Sequence, residues 1–187
     1  MILFVRHGQT YANLEGLIQG QLDSPLTEEG LIQAKTTAEK LKNTKIDIIY
    51  SSPLIRASKT SEVINVYHNI PIIQDERLKE QNAGDATGRK YSDATKEETE
   101  DFIKNPHKYH AESFKDLYDR NVDFFKTIEN TDKNILIVSH SGVWKMLRRY
   151  VLGLGIYDDV ETIENCEVKV LKSVSYTHLR AHETSAH

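Results

Sequence analysis

Apolar residues along this chain follow two periods. Short unbroken runs, such as Met1-Ile2-Leu3-Phe4-Val5 and Ile135-Leu136-Ile137-Val138, are what strands covered on both faces look like. The pattern predicts strands over Met1–Arg6, Lys45–Ser51, Pro71–Ile73, Asn134–Ser139 and Glu167–Leu171. Between them the period changes to that of helices. Thr27 reads as an N-cap, with Glu28 and Glu29 well placed against the helix dipole and Leu31, Ala34, Ala38 and Leu41 on one face. Ser52-Pro53 reads as a second helix start with proline at the first helical position, turning Leu54, Ala57 and Ile64 inward. Ser113 opens a third helix carrying Phe114, Leu117, Tyr118, Val122, Phe125 and Ile128 on its apolar face. A fourth begins at Gly142, with Val143, Met146, Leu147, Tyr150 and Val151 in register. The stretch 78–110 is polar, holds one helix near Ala94–Lys104, and reads as an insertion. Strand alternating with helix predicts an α/β fold, a largely parallel sheet with helices on both faces.

Composition narrows the class. The 187 residues are 39% apolar and 28% charged, enough for one domain with a full core. A formal charge of -4 argues against general affinity for nucleic acid or anionic membranes, while leaving room for a local positive site. The single Cys166 excludes an intramolecular disulfide framework and Cys-rich zinc sites, and fits a reducing cytoplasm. No apolar run nears the roughly 20 residues that span a bilayer, and the chain starts on a strand rather than a leader. The last residues, "SYTHLRAHETSAH", have neither period and carry His178, His182 and His187. They resemble translated vector or adapter sequence, so the expected division is a domain over 1–172 and a non-native tail over 173–187. Nothing in the pattern bears on oligomeric state.

The chemistry gathers at strand ends. The first strand ends in Arg6-His7-Gly8, the second runs into "SSPLIRASKT" with Arg56 early in the next helix, and the fourth ends at His140 before another helix start. Parallel strands set these termini along one sheet edge, where open α/β sheets bind ligands. Two arginines, two histidines and helix N-termini on one spot suit a phosphate-like anion.

Five motifs in order, "RHGQTYAN", "QGQLDSPLTEEGLIQA", "SSPLIRASKTSEVI", "LKEQNAGDATG" and "VSHSG", resemble those of the histidine phosphatase superfamily, also called phosphoglycerate mutase-like. The resemblance implies a three-layer α/β/α sandwich with a mostly parallel mixed sheet. It implies that His7 is the nucleophile, forming a phosphohistidine, and that Arg6, Arg56 and His140 neutralise the phosphoryl oxygens. It implies that Glu80 protonates the leaving oxygen, and that Asn13, Gln19, Gly20 and the backbone N–H groups of Ser141 and Gly142 line the substrate site. Two departures stand out. Ser141 follows His140 where glycine is common, and Ala86-Thr87 replace bulky aromatic and acidic residues. Trp144 is read as packing.

The expected function is metal-independent hydrolysis of a small phosphorylated metabolite, with no cofactor, no metal, and neither nucleic acid nor membrane as partner. One alternative is a phosphoglycerate mutase using the same residues; the resembling mutases carry a larger insertion that encloses the intermediate. Another is an inactive phospholigand-binding protein on the same fold. A zinc hydrolase is disfavoured, because no His/Cys/Glu cluster has metal-ligand spacing.

Overall fold

In the computed structural model, which describes residues 1–172, the first apolar run folds as β1 (Ile2–Arg6). The expected tail over 173–187 lies outside the described residues. In chain order there follow α1 (Tyr11–Leu14), α2 (Glu28–Leu41), β2 (Ile48–Ser51), α3 (Ile55–Ile64), β3 (Ile72–Gln74) and α4 (Lys96–Lys104). Then come α5 (Phe114–Lys126), β4 (Ile135–Ser139), α6 (Ser141–Leu152) and β5 (Val168–Lys172). The five strands form one sheet in the order β3-β2-β4-β1-β5, with only the edge strand β5 antiparallel.

Alternation in the two central strands builds both layers. Ile2 and Phe4 of β1, with Ile135 and Ile137 of β4, face a cluster that includes Leu117 and Phe124 of α5 and Val143 and Trp144 of α6. Their neighbours Leu3, Val5, Leu136 and Val138 face Leu41 of α2 and Ala57 and Ile64 of α3. Helices therefore cover both faces, the α/β/α sandwich expected from the alternation of periods. Trp144 is fully buried, 5.4 Å from Phe4 between ring centroids, and donates through Nε1 to the Glu161 carbonyl. It is a packing residue.

Helix starts differ in how well the chain announces them. Thr27 caps α2, its hydroxyl accepting from the Gly30 N–H. The Ser52-Pro53 reading is corrected: α3 begins at Ile55, and its N-cap is Leu54 with no side-chain cap bond. The Ser52 hydroxyl meets His140 Nε2 at 2.8 Å and accepts from the N–H of Leu54 at 3.3 Å, so it joins the strand-end cluster to the entry of α3 without capping the helix's first turn. α4 starts midway through the polar stretch, on a reciprocal capping box between Thr95 and Glu98. Among the described residues no helix is long and apolar enough to cross a membrane.

Candidate active site

Register decides what meets at the sheet edge. Arg6 lies opposite Ser139, and Val138 lies opposite Ser51, so β2, β4 and β1 deliver their carboxyl ends side by side. The residues just past those ends are His7, His140 and, in the first turn of α3, Arg56. The rings of His7 and His140 stand 5.2 Å apart between centroids. A cavity of about 310 Å³ opens over the edge, walled by Arg6, His7, Arg56, Glu80 and the N-terminus of α6.

His7 is 3% exposed and its Nδ1 lies 2.8 Å from the Gly8 carbonyl. A carbonyl only accepts, so Nδ1 carries the proton and Nε2 keeps its lone pair. Burial holds the His7 pKa well below the ordinary histidine value; the charges of Arg56 and Arg6 push the same way, against the pull of the Gly8 bond. His140 is held low by burial first, and then by Arg56, His7, Arg120 and Arg6. Its ring is wholly enclosed beside His7. It does not line the cavity.

Each cation is held by part of its fork. Arg56, 1% exposed, donates through Nη1 to the Leu22 carbonyl and through Nη2 to that of Gly20, both at 2.7 Å. Arg6 donates through Nη1 to the Ile163 carbonyl. Nε of Arg6, Nε of Arg56 and Nδ1 of His140 are enclosed without a hydrogen-bond partner among the described residues. Such unmet polar atoms are costly, and three together mark a site.

Glycine makes room at two close approaches, one to backbone and one to a side chain. A Cβ on Gly8 would fall 2.5 Å from the Gly30 carbonyl oxygen, where the loop after β1 crosses the start of α2. A Cβ on Gly142 would collide with Oε1 of Glu80. The Glu80 carboxylate sits against the start of α6, with Oε2 accepting from the Gly142 N–H at 3.2 Å and Oε1 from the Gln81 N–H at 2.9 Å. Gly142's N–H is thus spent on Glu80, a correction to the expectation that it faces the anion, because the carboxylate reaches it first. Ser141, the first residue of α6, lines the cavity.

The remaining expected residues lie on the same wall. Asn13 accepts from the Thr10 N–H through Oδ1 in a capping box, and its Nδ2 makes no bond among the described residues. Gln19 accepts from the Thr10 hydroxyl. Gly20 lines the cavity while its carbonyl holds Arg56.

Sequence reasoning missed the side chains that hold these in place. Thr60 Oγ1 accepts from the Gly8 N–H and donates to the Arg56 carbonyl. Asn165 Nδ2 donates to the His7 carbonyl. Arg120 clamps the strand-to-loop turn, donating to the carbonyls of Arg77, Lys79 and Glu80 while paired with Glu112. Lys145 and Arg149 also line the cavity. They follow Ser141 at spacings of four, a helical signal that was readable once α6 was assigned.

The sequence model of the histidine phosphatase superfamily (branch 1) matches residues 2–181. The protein named "Uncharacterized phosphatase PhoE" of Bacillus subtilis (strain 168) is 34% identical over 154 residues, 81% of this chain and 77% of that one. A metal-independent phosphoserine phosphatase of Arabidopsis thaliana is 32% identical over 190 residues, covering 96% of this chain and 76% of its own length. The solved structure of Bacillus stearothermophilus YhfR superposes with a TM-score of 0.78 at 30% identity, over 89% of this chain and 88% of that one.

Proposed function

The chain belongs to the histidine phosphatase superfamily, and we propose that it hydrolyses a small phosphomonoester through a phosphohistidine on His7, without a metal. One observation carries the reading. An imidazole kept neutral by burial, its Nδ1–H tied to the Gly8 carbonyl, faces a cavity that also presents the guanidinium groups of Arg6, Arg56 and Arg149, the Lys145 ammonium and one carboxyl group.

On this reading Nε2 of His7 attacks phosphorus as the ester oxygen departs. Neutral histidine is the competent form, and the Gly8 bond fixes both tautomer and ring. The phosphoryl oxygens meet Arg6, Arg56, the Asn13 amide and the first N–H of α6, so the developing charge falls among groups already oriented. His140, enclosed against His7 and Ser52, supports the His7 ring from behind rather than meeting the phosphoryl oxygens. Glu80, protonated, gives its proton to the leaving oxygen. It then takes one from the water that splits the phosphohistidine, which returns His7 and releases phosphate.

The test is a panel of phosphomonoesters assayed with EDTA. Release of inorganic phosphate is expected with the chelator present. Activity lost to EDTA and restored by Mg²⁺ or Zn²⁺ would overturn the metal-free mechanism. With 3-phosphoglycerate and 2,3-bisphosphoglycerate, phosphate release should outpace 2-phosphoglycerate formation; the reverse would make the protein a mutase.

A further inference from the structure

Beside the catalytic cavity lies a second one of about 290 Å³, and the two meet along Ile18, Gln81, Ala83, Tyr91 and Phe114. The far wall of this annex comes from α4 and the turn after it, chiefly Phe102, Ile103 and Tyr109. Most polar groups in the walls are already engaged, the exceptions being the Lys90 ammonium and the Tyr91 hydroxyl, which make no bond among the described residues. The Tyr109 hydroxyl is bonded to Asp101, and the Thr99 hydroxyl donates to the Thr95 carbonyl at 2.9 Å. Arg89 faces Glu98 at 3.7 Å, and Gln81 donates through Nε2 to the Glu112 carbonyl. The rings of Phe102 and Tyr109 stand 5.5 Å apart.

The helix itself is the second observation. α4 has no buried residue, and a nine-residue helix draws little stability from propensity alone. Its apolar pair Phe102-Ile103 does not belong to either core cluster. Ile103 is 39% exposed and Tyr91 is 68% exposed. Apolar side chains gathered around a cavity that adjoins a reactive site are the usual construction of a ligand pocket.

We infer that the annex receives the alcohol half of the substrate, and that this half is an apolar, ring-bearing group. Because the occupant is the leaving alcohol, the annex has this meaning only on the phosphatase reading above. Phosphorus sits at His7, the ester oxygen near Glu80, and the organic group passes between Tyr91, Ile18 and Phe114 to lie on Phe102 and Ile103. Burial there lowers KM and leaves the chemical step unchanged, since ground state and transition state share it.

The experiment compares ethyl phosphate, 2-phenylethyl phosphate, 2-(1-naphthyl)ethyl phosphate and O-phosphoserine, whose leaving oxygens are all alkyl. Across the three hydrocarbon esters kcat/KM should climb by about tenfold or more, mostly through KM. Ile103→Asp, at an exposed position, should erase the climb and leave ethyl phosphate untouched. Equal kcat/KM across the series overturns the inference. So does preference for O-phosphoserine, whose carboxylate suits Lys145 and Arg149 rather than the annex. An Ile103→Asp variant that slows ethyl phosphate equally does the same. Should no ester turn over, the phosphatase reading falls and binding decides the annex. 2-(1-Naphthyl)ethylphosphonate should then bind at least about tenfold more tightly than ethylphosphonate and slow amide exchange in α4. Equal affinities with unchanged exchange overturn it.

Discussion

At the scale of single residues, His7 and Glu80 differ in what their loss should do. An alkoxide leaving group needs a proton, help worth on the order of 10²–10⁴ in rate, whereas p-nitrophenolate departs unaided. Glu80→Gln should therefore slow an alkyl phosphate far more than p-nitrophenyl phosphate, and His7→Ala should abolish turnover of both. Equal small losses with Glu80→Gln would remove it from the proton-donor role. The two histidines also carry a stability signature. Both are pushed below the ordinary value by burial and by Arg56. In the unfolded chain each takes up a proton near pH 6.5 while the folded protein refuses it. The unfolded state then binds more protons, so stability is full above about pH 6.5 and drains as pH falls toward the lowered folded values. The slope should reach up to about 1.4 kcal/mol per pH unit for each histidine. Denaturant melts from pH 7.5 to 5 in phosphate-free buffer should show it, and His140→Gln should make it shallower. A flat profile between pH 6.5 and 5 would contradict the buried neutral pair.

At the scale of elements, legibility followed period and local chemistry. β1 and β4 were readable because both of their faces are apolar, and α2 because Thr27 is a strong cap. The start of α3 was misread because Ser52-Pro53 has the chemistry of a helix start while tertiary bonding draws the serine hydroxyl to His140. The strand-end histidines and arginines were legible from topology. Thr60, Asn165 and Arg120 were not, because each acts through a backbone atom distant in sequence, and no local pattern records that. Gly142 shows an element setting a residue's position. Alanine is the better helix former by about 1 kcal/mol, so Gly142→Ala should not lower the melting temperature through α6. Its Cβ would occupy the space of the Glu80 carboxylate. The variant should thus reproduce the Glu80→Gln contrast, with alkyl phosphate turnover reduced about tenfold or more and p-nitrophenyl phosphate largely spared. A Gly142→Ala enzyme with full alkyl phosphatase activity would show that Glu80 does not need its seat on α6.

At the scale of the whole molecule, the cavity runs against the protein's charge. Its walls hold Arg6, Arg56, Lys145 and Arg149 against the single carboxyl group of Glu80, within a chain of formal charge -4. A chain so charged gains little from anions in general, so any stabilisation by an anion should be local. Inorganic phosphate at about 100 times its dissociation constant should add about 2.7 kcal/mol, which for a domain of this size raises Tm by roughly 5–10 °C. Chloride at matched ionic strength should give little of this gain, because screening acts on the exposed charges and less on an enclosed site. Arg6→Gln removes one donor from the cavity and should lose most of the phosphate effect. Lys59→Gln, which breaks only a half-exposed surface pair with Glu62, should keep it. If chloride matched phosphate, or Arg6→Gln kept the full gain, the anion would be acting on the surface at large. The convergence of β1, β2 and β4 on one edge would then have gathered charge without forming a site for phosphate.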